Sequence, residues 1–242
     1  RRLKMKAMSK FWMALVVGVA VMAVSTQSWA VPLSNTDISW AKFVSLVSPS
    51  ELADPSTAPG PPLPDTFAFQ GGAAGDILSA VFTGVGDASG LYVYVYQFRV
   101  TSASGQIDEL TVGLLGPGPN TVLTDVDGDS GLDPVSSFYI GSNVPDGFLF
   151  GQGNVAPFQA IFNTPPPGIS FKWTSVSAGN ASFIVGFFSP APPTTYKADL
   201  SDTGDRIHSP FVYTPSPEPS VFLLLGMGLV GSAIWSRGRK KK

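Results

Sequence analysis

Four carboxylates fall close together in the stretch DVDGDSGLD, at Asp125, Asp127, Asp129 and Asp133. Carboxylates at alternate positions of a glycine-containing loop converge well on a hard cation, and calcium takes about six to eight oxygen ligands. The spacing fits the first half of a calcium loop and then departs from it. Ser130 occupies the sixth position, where glycine makes the sharp turn, and Ser136 the twelfth, where a bidentate glutamate closes the shell. The candidate is therefore a structural calcium site. The competing reading is an acidic, solvated turn, since Asp and Gly are ordinary turn residues.

The rest of the chemical inventory is thin. His208 is the single histidine, with Asp202 and Asp205 near it in sequence; alone, it reads as a surface residue rather than a base with its orienting acid. Asp108 and Glu109 are adjacent, and neighbours on a strand point to opposite faces, so they are not expected to share a substrate. Trp40 and Trp173 would stack on sugars if exposed, and are core residues if buried. There is no cysteine, which removes thiol catalysis and cysteine-bearing zinc sites. The expectation is a protein that is not an enzyme and holds no cofactor other than that candidate calcium.

The elements that would position these residues read as strands. Between residues 31 and 216, short apolar runs bounded by Gly, Pro, Asn, Asp and Ser replace any period of 3.6 residues. Leu91 to Val100 is the clearest. Tyr92, Tyr94, Tyr96, Phe98 and Val100 share one face, expected to pack on a second sheet; Leu91, Val93, Val95, Gln97 and Arg99 share the other, expected to meet solvent at its polar end. Further strands are expected at Thr66–Gln70, Ile77–Thr83, Glu109–Leu115, Ser136–Ile140, Gly147–Phe150, Phe158–Phe162, Ser170–Ser175 and Ser182–Phe188. The last two would form a hairpin across Val176 to Asn180. Asp37 to Ser48 is the one candidate helix. The proline-rich stretch Asp54 to Pro64 reads as a loop unable to pair in a sheet, and Thr214 to Pro219 as a stalk. The expected fold is all-β: a single two-sheet β-sandwich-like domain, flanked by an N-terminal signal-peptide helix and a C-terminal single transmembrane helix.

Both ends carry targeting patterns. Arg1, Arg2, Lys4, Lys6 and Lys10 precede an apolar run from Phe11 to Val24, and small residues Ser28 and Ala30 precede Val31. That order is a secretory signal peptide with a cut between Ala30 and Val31, with translation starting at Met5 or Met8. At the other end, Ser220 to Trp235 is uncharged and apolar, and Arg237, Arg239, Lys240, Lys241 and Lys242 follow it. As a helix it spans roughly 24 Å, and its basic flank belongs on the cytoplasmic side. The segment between carries five basic and sixteen acidic residues, a net charge near −11. Such a surface repels phosphates, so no nucleic acid is expected as a partner.

Pro217-Glu218-Pro219, one glycine-containing apolar helix and a terminal Arg/Lys cluster, all within the last 26 residues, resemble the PEP-CTERM sorting signal. Tyr92 to Gln97 and Pro167 to Ser170 are more loosely similar to segments in the β-rich bodies of that family. The resemblance implies an exported protein of a Gram-negative bacterium, handled by the export machinery and signal peptidase. It would be held transiently in the inner membrane and recognised at Pro217, Glu218 and Pro219 by an exosortase-type membrane protease, with the basic end as stop signal. It also implies residence at the cell surface or in the extracellular matrix, with exopolysaccharide or biofilm as the associated material. The expected divisions are a signal peptide (1–30), an exported β-rich domain (31–214) and a sorting tail (215–242). The alternative function is a carbohydrate-binding module or glycan-active enzyme.

Overall fold

The computed structural model describes residues 29–216 except 71, 103, 116–117, 127–130, 165–166 and 203–204. Its strands form two large sheets. The first contains β1 (Trp29–Pro32), β6 (Gln106–Gly113), β10 (Gln159–Thr164), β11 (Gly168–Ser177), β13 (Pro193–Asp202), β14 (Asp205–His208) and β15 (Phe211–Pro215). Their order is β1-β10-β11-β6-β13-β14, and β15 continues along the same side of β13 as β14. The second sheet contains β2 (Asn35–Ile38), β3 (Gly60–Ala68), β4 (Ala74–Thr83), β5 (Tyr92–Val100), β9 (Ser137–Ile140) and β12 (Ile184–Ser189), in the order β2-β9-β12-β5-β4-β3. A small ribbon pairs β7 (Val122–Thr124) with β8 (Asp133–Val135). The fold is all-β and sandwich-like, as the alternating pattern implies.

The strand Tyr92 to Val100 does what its aromatic face demands. Tyr94, Tyr96, Phe98 and Val100 enter the core between the sheets, with Ile107, Leu110, Phe171, Trp173 and Phe187. Phe187 stacks on Tyr94 with ring centroids 5.1 Å apart and planes 6° from parallel. A buried phenol needs an acceptor: the Tyr94 hydroxyl donates to the Ala191 carbonyl (2.8 Å) and the Tyr96 hydroxyl to the Tyr213 carbonyl (2.7 Å). Burial, with a smaller contribution from the neighbouring tyrosine in each case, raises both phenols far above their ordinary range. Both bonds run to the β13–β15 side of the first sheet. The Tyr213 amide also donates to Ser79 Oγ (3.1 Å), so β15 ties the two sheets together along one side.

The opposite face of β5 meets solvent at its polar end through Arg99 but not, as expected, through Gln97. Val93 and Val95 lie in a second apolar cluster with Phe82, Phe138, Ile184 and Phe188. It is roofed by helix α1 (Trp40–Leu46), which buries Phe43 and Leu46 and is capped by Ser39 Oγ accepting from the Lys42 amide (3.2 Å). Gln97 is buried too, because its amide is fully used. Nε2 donates to the Gly151 and Ser182 carbonyls (3.0 Å each), and Oε1 accepts from the Phe150 amide (2.9 Å). The segment it grips was expected to be a strand at Gly147–Phe150. It is instead a compact turn with Gly147 (φ +92°) and Leu149 (φ +50°) in left-handed conformations that no strand accommodates. Its Phe148 ring packs on Trp40, Phe43 and Phe82 and covers the second cluster. The second sheet is therefore covered on both faces at its centre, where every residue of β12 is buried, while edge strand β3 keeps an exposed face.

Four further expectations change. Pro61, Pro62 and Pro64 belong to β3, inside the stretch read as unable to pair. The strand lies at the sheet edge, where a missing N–H costs no ladder bond, and its register slips between Gly60 and Leu63, where Pro61 and Pro62 sit. The segment Val176 to Asn180 is not a hairpin loop. It leads from β11 in the first sheet to β12 in the second, turning at Gly179 (φ +78°) and bonding through the Gly179 amide to the Val100 carbonyl (2.9 Å). Thr214 and Pro215, expected in the stalk, are buried in β15. The candidate helix at 37–48 is shorter than expected, with Asn35–Ile38 pairing as β2 in parallel with β9. A second short helix, α2 (Pro49–Ala53), follows it. No helix among the described residues is long and apolar enough to cross a membrane; the run 11–24 expected to be part of a signal peptide and the apolar segment 220–235 lie outside them.

Candidate functional site

The sequence singled out an acidic loop, two tryptophans and two terminal motifs, and the structure distributes them widely. Asp125 and Asp133 flank the loop joining β7 to β8, where Thr124 pairs with Asp133 and Asp133 Oδ2 accepts from the Val126 amide (3.4 Å). Asp127 and Asp129 lie outside the described residues. No cluster of three or more His, Cys, Asp or Glu side chains suited to a metal occurs among the described residues. Trp173 is in the core, perpendicular to Phe98 at 5.0 Å, and cannot meet a ligand. Trp40 is half-buried with its ring packed against Phe148 at 4.8 Å. His208 lies on β14, its backbone opposite Leu200.

Ala30 and Val31, on either side of the expected cut, are exposed in edge strand β1, with Ala30 opposite Asn163 and Val31 opposite Phe162. Ser28, Pro217, Glu218, Pro219, Arg237, Arg239, Lys240, Lys241 and Lys242 lie outside the described residues.

The strict alternation assumed at Asp108 and Glu109 breaks there. Ile107 and Leu110 are both buried, and the β11–β6 register shifts between Lys172 and Val176. Asp108 has its carboxyl raised by burial, with Glu109 and Asp202 adding to the rise and its backbone bond and Lys172 opposing it.

A concavity among the described residues is one that sequence reasoning did not single out. An open groove of about 770 Å³ crosses the outer face of the first sheet from β10 to β13. Strand register builds its floor in rows: Ile161, Ser170, Thr111 and Asp199 lie side by side, and the next row places Asn163 beside Gly168 and Gly168 beside Gly113. Those paired glycines leave a trough where side chains would otherwise stand. A Cβ on Gly113 would sit 3.2 Å from the Tyr196 ring, so the trough runs against that ring, which is 44% exposed. The third row holds Glu109 opposite Lys172, with Nζ 3.7 Å from Oε2.

Side chains across these rows are joined in one directed chain. Asn163 Nδ2 donates to Ser170 Oγ (2.8 Å), and the Thr111 hydroxyl donates to Glu109 Oε1 (2.9 Å). The Thr111 proton being committed to the carboxylate, the 2.7 Å contact between the two hydroxyls has Ser170 donating to Thr111. Ser209 Oγ donates to Asp199 Oδ1 (2.8 Å) at the far wall. Polar groups pre-oriented in this way need little rearrangement to receive a ligand. The signal available in sequence was only a polar parity on each strand, Glu109-Thr111-Gly113 and Gly168-Ser170-Lys172. Nothing in it says that these strands are neighbours.

Compared with known proteins, the chain matches no protein-family model, no curated protein and no solved structure.

Proposed function

We propose that this chain is an exported, non-catalytic protein of the cell surface or extracellular matrix, sorted at Pro217-Glu218-Pro219 by a membrane protease of the exosortase type. The observation that carries the reading is the order of elements at the C-terminus. β15 is held in the first sheet through Pro215, and the Ser216 amide donates to the Pro192 carbonyl (2.9 Å). The Pro-Glu-Pro motif is the next residue, followed by the apolar segment and the basic end. A cut there would release the β body without severing any strand. The burial of Trp173 supports an interaction or scaffold role over a sugar-stacking tryptophan platform, while the groove on the first sheet favours a binding module over a glycan-active enzyme within the second reading.

Changing Pro217, Glu218 and Pro219 together to alanine tests this in the native host. Export should persist, because the signal peptide and body are untouched. The variant should accumulate in the inner membrane at the precursor mass less the signal peptide, and the wild type should be shorter by roughly 25 residues, the length of a helix that fills a bilayer core plus its basic flank. Equal masses and equal fractionation would leave the tail a plain anchor.

A further inference from the structure

We propose that the groove across β10, β11, β6 and β13 binds a neutral polysaccharide chain, with Tyr196 as its stacking platform and Glu109, Thr111 and Asn163 as its hydroxyl-reading floor, ordered from beneath by the buried Ser170. The proposal deepens the surface-protein reading above by giving the β body a ligand class.

Dimensions come first. The groove crosses three strand spacings of ~4.8 Å, or roughly 14 Å. Its volume lies within the roughly 300–1,000 Å³ of typical ligand sites, and it is an open trough, a shape that admits an interior segment of a long chain as well as an end. The pairing of Gly168 with Gly113 makes the trough, and the half-exposed Tyr196 ring flanks it. A rigid aromatic ring beside a hydrogen-bonding floor suits a pyranose, whose faces carry apolar C–H groups and whose rim carries hydroxyls.

The chemistry of the floor follows from the directed chain. With the protons of Ser170 and Thr111 committed inward, the lone pairs remaining on the Thr111 oxygen and on Glu109 accept from outside, while Ser170, buried beneath them, holds Asn163 and Thr111 in place. Lys172 and Lys197 supply donors at the two ends. Sugar hydroxyls both donate and accept, and so use both halves of this arrangement.

Charge selects the class. The segment between residues 31 and 216 has five basic residues against sixteen acidic ones, yet the groove lining balances Glu109 and Asp199 with Lys172 and Lys197. A groove without net charge, on a strongly acidic body, favours an uncharged chain. Polyanions are repelled at a distance by the body, and polycations find no excess of acid in the groove.

The test uses purified mature protein on an array of neutral hexose oligosaccharides (β-glucan, mannan and galactan hexamers), with oligouronates of the same length. Wild type should be retained by at least one neutral hexamer. Tyr196→Ala, at an exposed position, should weaken that retention about tenfold or more, the equivalent of ~1.4 kcal/mol. Thr111→Val keeps the shape, removes the link between Ser170 and Glu109, and should weaken retention several-fold. Leu123→Ala, an exposed apolar residue on the β7–β8 ribbon, should leave it unchanged, and melting curves confirm that all three variants fold. Retention of no neutral hexamer, retention of uronates alone, or equal retention by wild type, Tyr196→Ala and Thr111→Val overturns the proposal. Binding by purified protein is read separately from sorting of the precursor, so either reading can fail while the other stands.

Discussion

Replacing Gln97 with leucine preserves the approximate volume of a buried side chain and removes three hydrogen bonds at once. Two end on the Gly151 and Ser182 carbonyls and one begins at the Phe150 amide. A stranded donor costs about 1–3 kcal/mol. Each of the two carbonyls loses a donor, at about 0.5–1 kcal/mol, the net worth of a typical hydrogen bond. The sum centres near ~3.5 kcal/mol, with leucine's own transfer free energy offsetting part of it. For a chain of this size the sum before that offset corresponds to a fall in melting temperature of roughly 7–14 °C, which is the upper bound.

The loss should also have an address. The Phe150 amide should exchange with solvent faster than the global destabilisation requires, since Gln97 is what fastens the turn carrying Phe148 over the second cluster. Thermal denaturation by circular dichroism gives the size of the effect, and hydrogen exchange resolved at Phe150 gives its location. A Gln97→Leu protein that melts within about 2 °C of wild type with Phe150 exchange unchanged would refute the assignment of this glutamine as the fastener.

Asp108 gives a pH dependence of defined sign. Its carboxyl is raised in the folded protein, mainly by burial, so the folded state binds the proton more tightly than the unfolded chain. Its contribution is fully favourable below the ordinary carboxylate pKa and is lost as pH rises through the folded value. Asp108→Asn should therefore match wild type in acid and exceed it in stability near neutrality; parallel melting curves across that window would contradict the sign. For the acidic loop, millimolar calcium should raise the melting temperature of wild type by mass action and leave Asp127→Ala/Asp129→Ala unmoved; superimposable wild-type curves with calcium and with chelator leave the solvated turn.

How much of this was legible in the chain differs from element to element. The alternation in Tyr92 to Val100 declared a strand with one aromatic face, and the cross-sheet core around Tyr94, Tyr96 and Phe98 follows from it. The polar end of the other face misled, because a glutamine next to an arginine reads as solvated. Arg99 is exposed and paired with Asp76 at 2.8 Å, but Gln97 is satisfied by three backbone groups distant in sequence. The Gly147 to Phe150 segment has strand-like composition, and only the left-handed backbone at Gly147 and Leu149 makes it a lid. Proline in β3 argued against pairing; the edge position that makes it tolerable is a property of the sheet, not of the stretch.

By itself, the sequence determined the all-β class, the inward face of β5, the acid excess between the two ends and the order of the motifs at both termini. Each of these depends on side-chain type and on local period, and both are written residue by residue. Tertiary structure alone decided that β11 and β12 part into different sheets. It also buried β12 on both faces, and it set Glu109, Thr111, Ser170, Asn163 and Asp199 on one groove floor. Register between strands far apart in the chain is fixed by the packing of the whole core, where many weak contacts add up to select one arrangement. A short run of residues carries the parity of its own faces, and no record of which strand will lie beside it.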